Sequence, residues 1–67
     1  MTRDEWIAGF AEQIGAQPPS PEEVDEILEL AATAAHASER TAAPVACWMA
    51  GHSRRSLEEL NRAAERV

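Results

Sequence analysis

The sequence predicts an all-α fold, a compact bundle of three to four short helices at about residues 3–15, 21–39, 44–53 and 57–66. Apolar residues recur at helical spacing through most of the chain. Hydroxyl side chains at Thr2, Ser20 and Ser56 each stand three residues ahead of a glutamate, the pattern that caps a helix start. No stretch alternates apolar with polar as a half-buried strand would.

The first helix opens on Thr2 and Glu5, a spacing at which hydroxyl and carboxylate satisfy each other's orphan backbone amides. Trp6, Ile7, Phe10, Ala11 and Ile14 then fall on one face, which is expected to be buried, while Asp4, Glu12 and Gln13 fall on the other. Gly15 accepts the left-handed conformation that closes a helix, so the helix ends there. Residues 16–20 carry Pro18 and Pro19, which lack amide donors and hold the chain extended as a stiff linker.

Ser20, Pro21, Glu22 and Glu23 form the clearest helix start: a hydroxyl cap, proline in the first turn, and acids at the positive dipole end. The buried stripe of this second helix is expected to be Val24, Ile27, Leu28 and Ala31, with Leu30, Ala34 and Ala35 at its margin. Its second half gives up bulk for alanine, so another helix can approach closely there. Order is expected to fail near Ser38 to Arg40, and Pro44 belongs in the first turn of a third helix carrying Val45, Trp48 and Met49 on one face. The last helix starts at Ser56 and offers Leu57, Leu60 and Ala64. Local signals allow helices three and four to be either separate or one rod bent through Gly51 to Ser53.

Composition narrows the function. The 67 residues have room for one domain, and of thirty hydrophobic residues fourteen are alanine, which leaves little bulk for a core. Short helical chains of this kind complete their burial against a second copy or another protein, so a homo-oligomer or a protein partner is expected. Six arginines against twelve acids give a net charge of -6, which argues against nucleic acid and against anionic membrane surfaces. No apolar run approaches the roughly 20 residues of a membrane span, the N-terminus is polar, and one cysteine forms no internal disulfide, so a cytoplasmic protein is expected.

Catalytic vocabulary is sparse. Cys47 and His52 lie on different helical faces without a second pair to complete a zinc site, and Cys47 reads as a small core residue. No nucleophile, base and orienting group come together in the sequence, and the glycines fit no phosphate loop, so neither an enzyme nor a bound cofactor is expected. His36 and Arg40, four apart near the negative end of helix two, could hold an anion together; the plainer account is that both complement that helix end. Trp6 and Trp48 read first as core anchors and second as interface anchors.

The stretch Leu28, Leu30, Ala31, Ala35, His36, Arg40 and Ala42 to Pro44, with Trp6 ahead of it and Trp48, Met49, Ala50 and Gly51 behind, resembles a known family. This is the small actinobacterial domain of unknown function found alone or fused to molybdenum-cofactor guanylyltransferases. The resemblance covers about residues 6–51. Ala46 and Cys47 stand where hydroxyl residues are usual in that family, and Trp48 where phenylalanine is usual. The resemblance implies an accessory domain near molybdenum-cofactor assembly that contacts the transferase or a client enzyme, and it implies no reaction. The reading that follows is a non-enzymatic interaction module working through the alanine-rich end of helix two and the Trp48 face. Its alternative is a small anionic ligand held by His36 and Arg40.

Overall fold

A computed structural model describes residues 1–67 as four helices without a strand: α1 (Arg3–Ile14), α2 (Pro21–Ala37), α3 (Ala42–Ser53) and α4 (Leu57–Ala64). The predicted small all-α bundle is what forms. Each well-capped start lies where the hydroxyl signals put it. Thr2 and Ser20 accept the Glu5 and Glu23 amides, and each glutamate takes the amide of its capping residue in return. Ser56 caps the Glu59 amide but gives its own hydroxyl proton to the Glu59 carboxylate, so α4 has half of that exchange.

The ends differ from the sequence reading by a few residues, for local reasons. α1 closes on Gly15 at φ 69°, with the Ala16 amide donating to the Ala11 carbonyl at 2.9 Å, a Schellman arrangement. α2 stops at Ala37 instead of residue 39 because Ser38 leaves helical geometry at φ -143° and turns its hydroxyl back onto the Ala34 carbonyl. α3 begins at Ala42, two residues before Pro44, since the Glu39 and Arg40 carbonyls accept the Ala42 and Ala43 amides and Pro44 has none to place. α3 and α4 are separate helices. The break falls at Arg54, in the left-handed region at φ 64°, and Gly51 stays helical. α4 ends at Ala64, short of residue 66.

α2 is the hub. α3 and α4 both pack on it and touch one another little, whereas α1 lies at the edge with few close backbone approaches and is held through Ile7 and Ala11, the latter buried at 7 % exposure. Leu30 is the most buried hydrophobic residue, at 5 % exposure, while Leu28 faces outward; Val24, Ile27 and Ala31 are half-buried as expected, so the stripe of α2 keeps its place except that Leu30 takes the central position expected of Leu28. The cause is that α2 serves two neighbours, and Leu30 lies between them. α3 presents Ala43, Ala46, Cys47 and Ala50 to the interior and leaves Val45, Trp48 and Met49 outside. Alanine against the alanine half of α2 lets two backbones come close, which turns the bulky residues outward.

Surface area measures the consequence. A folded 7.3 kDa monomer exposes about 4,200 Å². This chain exposes 5490 Å², an excess of roughly 1,300 Å² over that scaling. No large side chain is fully buried.

Candidate functional site

The outward residues gather into two apolar surfaces. On α1, Trp6, Phe10 and Ile14, all expected in the core, are 57 %, 50 % and 58 % exposed. Only Ile7 and Ala11 turn inward, because α1 lies against the start of α2 through its opposite edge, where Ile7 and Ala8 share a shallow cleft with Pro21 and Val24. The Trp6 and Phe10 rings stack with centroids 5.1 Å apart and planes at 19°, a pairing that one helical turn imposes on residues four apart. Gly9 lines the shallow surface beside the two rings, and a side chain there would meet nothing.

On α3, Trp48 is 65 % exposed and is therefore not a core anchor. Its indole stacks on the His52 ring at 4.0 Å, and the His52 Nδ1–H donates to the Trp48 carbonyl, which holds both rings against the helix surface. Around the corner lies a groove of about 640 Å³ between α2, α3 and α4. Ala34, Ala37, Ala46, Ala50, Ala63 and Ala64 make most of its apolar wall, with Leu30 and Leu60 at its base and Met49, Arg55 and Val67 also lining it. A second, smaller cleft of about 410 Å³ shares Leu30, Ala50, Arg55 and Leu60 with the first and adds Cys47, Leu57 and Ile27. Cys47 is half-buried on that cleft wall, a small apolar position more than a deep core one.

His36 and Arg40 are both exposed, and neither side chain forms a hydrogen bond or ion pair within the chain. Because α2 stops at Ala37, Arg40 lies beyond the helix, so the helical register that would set the two on one face does not extend to it. His36 keeps its place in the last turn of α2. No three histidine, cysteine or acidic side chains converge where they could hold a metal ion. No helix is long and apolar enough to cross a membrane.

Local hydrogen bonds displace two ionisable groups. Glu5 is held below the ordinary carboxylate value, first because it accepts the Thr2 amide at 2.7 Å and then through the Thr2 hydroxyl. Arg62 is raised by its hydrogen bond to Glu58 one turn earlier, at 2.8 Å, and then by the charge of that carboxylate.

One central residue escaped the sequence reading. Asn61 is 6 % exposed, and its Nδ2 donates to the Glu26 carbonyl of α2 and to the Leu57 carbonyl of α4, both at 3.0 Å. It ties α4 to the hub, while its Oδ1 is buried without a partner. The available signal was its position: Asn61 follows Leu57 by four residues, which places it on the same face of the helix.

With this geometry in view, the whole chain, residues 1–67, matches the profile of a domain of unknown function, DUF6457, and the protein belongs to that family. No curated protein and no solved structure matches the chain.

Proposed function

We propose that this chain is a non-enzymatic interaction module of the cytoplasm that completes its fold by docking on a protein, either a second copy or a partner enzyme. The observation that carries this reading is the outward placement of Trp6, Phe10, Ile14, Val45, Trp48 and Met49 around a core with no fully buried large side chain. Patches of exposed apolar surface on this scale mark interaction sites. Tryptophan and methionine are also residue types enriched where proteins dock. The resemblance to domains fused to molybdenum-cofactor guanylyltransferases makes such a transferase the first partner to test. The module then acts as an accessory near molybdenum-cofactor assembly.

Titration calorimetry of the chain against a purified molybdenum-cofactor guanylyltransferase tests that assignment. Binding in the micromolar range or tighter that is lost in Trp48→Ala supports it, and no heat at 100 µM at two well-separated temperatures discards the transferase as partner, since apolar docking that is silent at one temperature gives heat at another. The alternative reading, an anionic ligand gripped by His36 and Arg40, has less support because the end of α2 removes the shared helical face on which it rested.

A further inference from the structure

We propose that two copies of this chain exchange α1, the Trp6–Phe10 face of each seating in the groove between α2, α3 and α4 of the other. The proposal rests on the interaction reading above and names its occupant. Three observations point to a second copy. The first is area: each chain exposes 5490 Å², roughly 1,300 Å² more than its size requires, and a stable interface removes about 800 Å² or more from each partner. A second copy covering both apolar surfaces at once accounts for an excess of that size.

The second is that the chain holds both halves of one contact without joining them. α1 lies at the start of α2, beside Pro21 and Val24, whereas the groove lies along the other half, beside Ala34, Ala37 and Ser38. The groove is about 640 Å³ and walled by small side chains, which leaves room for aromatic rings, and the apolar edge of α1 from Trp6 to Ile14 is about 12 Å long. Gly9 lines the same shallow surface as the two stacked rings, and a Cβ there would meet nothing in the single chain. A mid-helix glycine costs about 1 kcal/mol against alanine, and close approach of a second backbone is the use that offsets it.

The third is charge. α1 carries Asp4, Glu5 and Glu12 against Arg3 alone, and Arg3 is already paired with Asp4. The groove has Arg55 on its wall and Arg54 next to it, and neither arginine has an acidic partner in its own chain. Pairing α1 with α1 would set two net-negative helices side by side; Arg54 and Arg55 at the groove lower that long-range repulsion, while Asp4 and Glu12 lie on the side of α1 away from the Trp6–Phe10 face.

Light scattering on the full chain between 5 µM and 500 µM gives the first readout, with an expected mass twice that of one chain. Phe10→Glu spoils the inserted face, and Ala37→Arg, at an exposed position on the groove wall, spoils the receiving one. Each variant alone is expected to be a monomer with unchanged helical circular dichroism. Mixed, they form a one-to-one heterodimer, because one intact α1 still meets one intact groove. Gly9→Ala gives a check that does not threaten folding: it raises the helicity of α1 yet weakens association at least tenfold.

A wild-type chain that is monomeric throughout the range overturns the exchange, as does a wild-type dimer whose two variants fail to complement, or one that Gly9→Ala leaves untouched. The interaction reading outlives those results. It fails only if the monomer also melts cooperatively and protects its α1 amides as a self-sufficient domain does.

Discussion

Two parts of this small protein are built from the same local chemistry and reach different ends. α1 and α2 both start at a hydroxyl cap with a reciprocating glutamate, and both carry apolar residues at helical spacing. α2 is nevertheless wrapped by α3 and α4, while α1 meets the rest only along its Ile7 and Ala11 edge and turns two stacked aromatic rings to solvent. Capping and periodicity therefore decide that a helix forms. What surrounds it is decided by the volume that other elements offer, and the alanine-lined faces of α2 and α3 use that volume on each other.

The comparison is broken most directly by truncating one apolar residue on each side. Leu30→Ala removes a side chain that is 5 % exposed between three helices, and should cost about 2–4 kcal/mol. In a domain of this size that is most of the stability available, so urea titration followed by circular dichroism should find it largely unfolded in water. Ile14→Ala, at 58 % exposure, should move the same transition by no more than about 0.5 kcal/mol at a concentration where the chain is monomeric. Equal losses at the two positions would mean that α1 belongs to the same cooperative core.

Asn61 sharpens the contrast, since it supplies a tie that α1 lacks. Asn61→Ala deletes the donor to the Glu26 and Leu57 carbonyls and leaves a void, with an expected loss of about 2 kcal/mol. Asn61→Leu should lose less, because it keeps the volume and also removes the buried Oδ1 that has no partner. Thermal melts of the two variants side by side separate volume from hydrogen bonding.

How much of this was legible in the sequence follows from the range of the forces involved. The starts at Thr2, Ser20 and Ser56 and the close at Gly15 are interactions within four or five residues, and they stand where the sequence puts them. The small all-α bundle follows from them. Which face is inside is a long-range question: Leu30 displaced Leu28, and Trp6 and Trp48 moved outward, because the neighbours of each helix are set by other helices. The His36 and Arg40 pairing rested on a helix reaching about residue 39, and α2 stops at Ala37, with the Ser38 hydroxyl bonded back to Ala34. The groove had no local signature, since alanine-rich stretches look the same whether they line a cleft or fill a contact.

A smaller effect separates the two caps. Ser20→Ala removes the side chain that caps α2 and should lower global stability by about 1 kcal/mol, seen as a shift of the whole melting curve. Thr2→Ala makes the identical chemical change on α1. Because α1 is little coupled to the rest, that loss should appear as faster amide exchange in residues 4–8 with the midpoint of the melt almost unmoved. A full shift of the midpoint by Thr2→Ala would show α1 to be tightly coupled after all.

The smallest expected effect is a pH response confined to α1. Glu5 accepts the Thr2 amide more strongly as a carboxylate than as an acid, and this holds its folded-state value below 4.5. A carboxylate depressed in the folded helix stabilises that helix at pH values above its unfolded value, and the contribution is lost as the pH falls through the lower folded one. Amide exchange at Glu5, Trp6 and Ile7 should thus be steady from neutral pH down to about 4.5 and rise below it, after correction for intrinsic rates. Glu5→Gln keeps an oxygen that accepts the Thr2 amide but cannot titrate in this range, so its exchange profile should be flat across the same interval. A variant that frays like the wild type would place the acid response somewhere other than this cap, and would leave α1 held by contacts that its start does not control.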